Sequence, residues 1–115
     1  MLFYEKRTKN RPIIFLRDTM LESKFQAALI REIKERFPGC IVLKNDPNYI
    51  QGFPDLLVLY GGRWAALEVK RSENERRQPN QEHYVSALSA MSYAAFVCPE
   101  NKDHILYELQ QTFQS

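Results

Sequence analysis

The chain has no apolar run near the ~18 residues that a membrane-spanning helix requires, so no span is expected. Short apolar pairs interrupt the basic residues at its N-terminus, which leaves no long apolar core for a signal peptide. Cysteine is scarce: Cys40 and Cys98 stand far apart, with no CxxC and no Cys/His cluster, which argues against a structural zinc site. Two free, partly buried thiols fit a reducing cytoplasm. There is no internal repeat and no low-complexity stretch. What remains is 115 residues with 44% hydrophobic side chains, enough for one folded domain with a real core.

The net charge of +2 is unevenly spread. Residues 1–18 hold five basic side chains (Lys6, Arg7, Lys9, Arg11, Arg17) against Glu5 and Asp18, a local +3. The remainder holds eleven basic against twelve acidic residues, a local −1. A basic arm beside a near-neutral domain suits a polyanionic partner, although an ordinary solvated tail has the same composition. The division is therefore an arm, 1–18, and a single domain, 19–115, with a short strand expected in the arm at Pro12–Leu16.

Helical spacing of Phe25, Leu29 and Ile33 predicts a helix from Met20 to Phe37, with Gly39 as its stop signal. A strand is expected at Cys40–Lys44, then a polar loop from Asn45 to Gln51. Two strands flank Gly61-Gly62 as a hairpin. A charged loop, Arg71–Gln78, leads to Pro79, which suits the first position of a second helix over 79–91. A strand at Tyr93–Cys98 and a helix at Asn101–Phe113 complete the order. Leu57, Leu59, Trp64 and Ala66 line one face of the hairpin, and Leu56, Val58, Tyr60, Ala65, Leu67 and Val69 the other. A sheet apolar on both faces must be covered on both. The fold class is α/β, a mixed central sheet flanked by helices.

If Gly61-Gly62 is a two-residue turn, Tyr60 pairs with Arg63, and Asp55 falls opposite Glu68. Opposed like charges destabilise a strand pair, whereas a divalent cation needs such a pair. Lys70 shares the face of Glu68 by strand alternation. A Mg²⁺ ion takes one or two carboxylates plus waters and phosphate oxygens. Asp55 and Glu68 could hold it, with Lys70 orienting a water or neutralising developing charge. The plainer reading is a surface ion pair of Lys70 with either carboxylate. A one-residue slip in the turn would undo the arrangement.

Glu22 extends the inward stripe of the first helix by one turn and is a third candidate ligand. Thr19-Met20-Leu21-Glu22 also fits a capping box, which would make Glu22 a capping residue. Gln81 opens the stripe of Tyr84, Val85 and Leu88 in the first turn of its helix, where it could hold a water or phosphate oxygen or simply cap. Lys44, Arg71, Arg76 and Arg77 flank this region on loops as candidate phosphate contacts, although each alone reads equally as a solvated surface charge. Tyr49 and Phe53 could stack on bases or pack in the loop.

Taken together, Glu22, Gly52-x-Pro54-Asp55, the hairpin, Glu68-Val69-Lys70 and Gln81 resemble the VRR-NUC family of the PD-(D/E)xK nuclease superfamily. The small stand-alone domains of phages and bacteria, similar to Holliday junction resolvases, are the nearer likeness. The resemblance covers residues 19 to about 98 and leaves the basic arm outside. It implies an αβββαβ restriction-endonuclease-like core and Mg²⁺- or Mn²⁺-dependent cleavage of DNA. It also implies a homodimer, and a cytoplasmic setting in a bacterial or phage-infected cell. Asp55 and Glu68 would ligate metal, with the Val69 carbonyl and Glu22 assisting; Lys70 would be catalytic and Gln81 would support the site. Two positions depart from the pattern: Gln78 stands where Ser or Thr is usual, and Met91-Ser92-Tyr93 lacks the glycine expected before the last strand.

The reading is thus a metal-dependent endodeoxyribonuclease, structure-selective for branched DNA or Holliday junctions. A nucleic-acid-binding module with the same fold that does not cut is the alternative. An interaction protein with incidental carboxylates is a third possibility.

Overall fold

The computed structural model describes residues 13–114. Its elements are α1 (Ile13–Arg36), β1 (Ile41–Lys44), β2 (Leu56–Tyr60), β3 (Arg63–Val69), α2 (Pro79–Met91), β4 (Tyr93–Val97) and α3 (Lys102–Gln114). Helix α2 occupies the span expected for it, β1, β4 and α3 fall within a residue of their expected ends, and two strands flank Gly61-Gly62. The first helix does not: it already runs at Ile13, so residues 13–16 are helical and not a strand. A short apolar run does not by itself separate strand from helix, and here it continues α1. The boundary drawn at 18/19 therefore falls inside α1, and residues 1–12 of the basic arm lie outside the described residues. An early start also places Thr19 in the helix interior, so the Thr19–Glu22 capping box is not a helix start.

The four strands form one sheet in the order β1-β2-β3-β4. The first three run antiparallel to their neighbours, and β4 lies parallel to β3 after the α2 crossover. The hairpin register is the one the diglycine predicts: Tyr60 opposes Arg63 and Leu56 opposes Leu67. Gly61 takes φ of 61°, the left-handed value that a type II′ turn puts on its first central residue.

One face of the sheet carries the main core. Leu56, Val58, Ala65, Leu67, Val69 and Val97 pack there against Leu29, Ile33 and Phe37 of α1 and Ile105, Leu106, Leu109 and Phe113 of α3. Burial of each large aliphatic side chain contributes about 1.5–3 kcal/mol. Two polar links tie the layer together: Lys102 Nζ to Glu32 Oε1 at 2.8 Å between α3 and α1, and Tyr93 Oη to Glu108 Oε1 at 2.5 Å between β4 and α3.

The other face is covered unevenly. Helix α2 packs over β4 and β3, where Ala66 is fully buried. Toward the β1 edge, Leu57 and Leu59 are half-buried, while Ile41 and Leu43, opposite them in register, are exposed. At the end of α2, Ser92 replaces the expected glycine without strain. Its φ of −152° needs no glycine. Its N–H bonds Leu88 O at 3.0 Å, and its hydroxyl donates to Trp64 O at 2.5 Å.

Candidate active site

The hairpin end away from the turn is held by the loop that precedes β2. Asn45 donates its backbone N–H to Asp55 O at 2.8 Å, and its side-chain amide donates to Pro54 O. This closes the 45–55 loop at its base and fixes the Pro54-Asp55 backbone beside β1. Gly52 does the same from the other side. It takes φ of 88°, and a Cβ there would lie 2.4 Å from Asn80 Cβ. Only glycine allows the loop to press this closely on the first turn of α2.

Continuing the register one step past Leu56–Leu67 places Asp55 opposite Glu68. Asp55 Oδ2 accepts the Val69 N–H at 2.7 Å. Glu68 is buried. Burial first, and then the charge of Asp55, pushes its carboxyl up to about 9. Burial raises Asp55 too, against the pull of the Val69 N–H.

Gln81 joins these acids to Lys70. Its Nε2 donates to Glu68 Oε2 at 2.9 Å, and its Oε1 accepts from Lys70 Nζ at 2.7 Å. An amide has one donating and one accepting end, so the carboxylate and the ammonium fix which way it points. The same Oε1 accepts the Gln78 N–H at 2.9 Å. Gln81 therefore both caps α2 and bridges the cluster, and the cap explains why Gln78 needs no hydroxyl of its own.

Lys70 is buried, 5% exposed, and neither plain ion pair foreseen for it forms. Its ammonium donates to Gln81 and, at 3.0 Å, to Arg76 O, and it pairs with Glu75 Oε2 at 3.7 Å. Glu22 is half-buried on α1, and its carboxyl is pushed up to about 7, by burial first and then by the charges of Glu75 and Asp55. Its charge acts in turn on Glu68. The inward stripe thus brings Glu22 into the field of the same cluster.

The basic residues divide. Lys44 is exposed at the end of β1, opposite Leu56. Arg71 is exposed and pairs with Glu75 at 3.5 Å. Arg76 reaches Lys70 through its backbone carbonyl, not its side chain. Arg77 lays its guanidinium 4.0 Å from the centroid of Phe96. Phe96 opposes Glu68 in the parallel β3–β4 register, so it shares the site face. Phe53 packs edge-on against Tyr84 with centroids 5.4 Å apart, which favours loop packing for it. Tyr49 is 84% exposed. Three site-adjacent residues had no sequence signal: Asn45 and Glu75 lie in loops without periodicity, and Phe96 needed the β4 register to be placed.

Among the described residues, no three His, Cys, Asp or Glu side chains group closely enough to cage a metal unaided. Asp55 and Glu68 offer a seat of two carboxylates, which suits a hard cation that keeps waters and takes phosphate oxygens. Burial raises both carboxyls and Asp55 raises Glu68 further; a cation would relieve this, so the donor set fits Mg²⁺ or Mn²⁺ in chemistry.

No family model matches the chain, and none of the curated proteins does. Solved structures do. One, described as a VRR_NUC domain protein, superposes with a TM-score of 0.61 at 16% identity, over 82% of this chain and 88% of its own. Another, described as a VRR_NUC domain, superposes with a TM-score of 0.57 at 28% identity, over 76% of this chain and 95% of its own. The mixed sheet with flanking helices is thus the restriction-endonuclease-like fold that the sequence resemblance implied. That fold, together with a likeness at 28% identity to nearly the whole of one such domain, supports the resemblance to the VRR-NUC family.

Proposed function

We propose that this protein is a divalent-metal-dependent endodeoxyribonuclease that hydrolyses DNA phosphodiester bonds. The observation that carries the reading is the Gln81 amide, which bridges Glu68 and Lys70 beside the buried Asp55–Glu68 pair. A structural role alone would not need two carboxylates and an ammonium oriented on one another at a sheet end. When bound, Mg²⁺ or Mn²⁺ supplies Lewis-acid polarisation of a phosphate oxygen and a more acidic water. Asp55 and Glu68 would hold the ion, with Glu22 and the Val69 carbonyl completing the set by family likeness. Lys70 orients the attacking water and offsets charge developing on the phosphate. Gln81 keeps Lys70 and Glu68 in fixed relation, so neither reorganises during reaction. Arg77, seated on Phe96, and Lys44, Arg71 and Arg76 supply contacts to neighbouring phosphates.

The proposed substrate is branched DNA, and the proposed acting form is a homodimer. Two sites related by a two-fold axis would match the symmetry of a four-way junction. The test offers labelled linear, flapped and four-way DNA with Mg²⁺ or Mn²⁺. Cleavage by wild type and none by Asp55→Ala is expected. Paired symmetric nicks on the junction, with a solution mass twice that of the chain, would support the dimer. Absence of cleavage on every substrate would leave the non-cutting binding module in place, and equal cleavage by Asp55→Ala would mean a contaminant.

A further inference from the structure

Lys70 lies at the end of β3, and most of what holds its ammonium comes from the segment that follows. Of its three partners, Gln81 Oε1 belongs to α2, while Arg76 O and the Glu75 carboxylate, an ion pair at 3.7 Å, belong to the 71–78 loop. That loop is folded on itself through one side chain. Glu75 Oε1 accepts the Arg71 N–H at 2.8 Å, Glu75 N–H reaches Ser72 O at 3.2 Å, and Glu75 Oε2 pairs with Arg71 Nη1 at 3.5 Å. The Glu75 side chain is only 18% exposed despite its charge. A second anchor, Arg77 on Phe96 at 4.0 Å, fixes the far part of the loop to the site face.

We infer that Glu75 is a positioning residue for Lys70: one carboxylate oxygen curls the 71–78 loop back by binding the Arg71 N–H, while the other faces the ammonium. The inference rests on the nuclease reading above. Its physics is simple. A lysine has a flexible stem and three donors, and it points usefully only when its acceptors hold it. Without Glu75 the loop loses its closing bond, and the hold of the Arg76 carbonyl on Lys70 loosens even with Arg77 still on Phe96. Gln81 then carries most of the positioning of an ammonium with more room to move. A misplacement of about 1 Å costs on the order of 10²-fold in rate.

The test is steady-state cleavage by Glu75→Ala and Glu75→Gln, with thermal melts of each and a ¹H–¹⁵N spectrum of the Lys70 ammonium in metal-free protein. Glu75→Ala should lower kcat by about 10- to 100-fold and leave KM within about threefold. Glu75→Gln keeps an oxygen for the Arg71 N–H and should recover part of the loss. The Lys70 ammonium signal, sharp in wild type, should broaden in Glu75→Ala and persist in Glu75→Gln. An Ala variant with wild-type kcat, or one changed in KM alone, overturns the inference. So does an unchanged Lys70 signal in Glu75→Ala, a result that needs no cleavage. If wild type cuts nothing while the signal responds as expected, the nuclease reading fails and the positioning of Lys70 stands.

Discussion

Asp55 and Glu68 lie where strand pairing makes like charges unfavourable, and the chain retains them where only a proton or a cation can reconcile them. The consequence for metal-free protein has a definite sign. Burial and Asp55 lift the Glu68 carboxyl from its ordinary 4.5 to about 9, so between those values the folded state binds more protons than the unfolded chain. This contribution is fully present below pH 4.5 and is lost as pH rises through about 9. In EDTA the melting temperature of wild type should therefore fall across that window. Glu68→Gln should flatten the fall and be the more stable protein at the alkaline end, by about 1 kcal/mol or roughly 4 °C or more. Added Mg²⁺ should restore wild type by mass action and leave the variant unmoved; a parallel fall in both proteins would remove the acidic pair as its cause. Strand parity and the register of the Gly61-Gly62 turn were enough to read Asp55, Glu68 and Lys70 as one group, because both place side chains without knowledge of the whole fold. Glu75 and Asn45 escaped because loops have no period, and their contacts exist only once the chain has turned back on itself.

At the scale of elements, punctuation decided what was legible. The diglycine set the hairpin register, and Pro79 set the start of α2, both at the residues expected. The start of α1 was not legible, since Ile13-Ile14-Phe15-Leu16 reads equally as strand or helix and a capping-box pattern lay ready at Thr19. The Gly52–Asn80 contact is another join between elements that no local pattern announces. It locks the loop before Asp55 to the first turn of α2, the turn that carries Gln81. Gly52→Ala would force a side chain into a left-handed backbone, at about 1–2 kcal/mol, and against Asn80 Cβ at 2.4 Å. The loop and α2 must then part. Chemical denaturation should show a loss of at least that size, and cleavage by the folded variant should fall because Asp55 and Gln81 no longer share one frame. A variant with wild-type stability and rate would show that the contact positions nothing.

For the molecule as a whole, the described domain and the N-terminal arm divide the charge. The near-neutral remainder surrounds an acidic cluster, which repels the phosphate it is proposed to cut until a cation is bound. The excess positive charge sits in residues 1–18, most of it at Lys6, Arg7, Lys9 and Arg11, outside the described residues. A polyanion drawn to this protein should therefore owe much of its affinity to the arm rather than to the site. Binding is best measured with Asp55→Asn, which keeps an acceptor for the Val69 N–H and removes turnover. The logarithm of its affinity for DNA should fall linearly with the logarithm of salt, by about 0.9 per phosphate contact. Exchanging Lys6, Arg7, Lys9 and Arg11 for glutamine should make that slope shallower by up to about 3.6 and weaken binding at low salt on linear and branched DNA alike. Exchanging Arg77, which Phe96 holds beside Lys70, should change the slope by about 1 and act mainly on cleavage. A slope unaltered by the four arm substitutions would assign DNA attraction to the folded domain and leave the arm as a solvated tail.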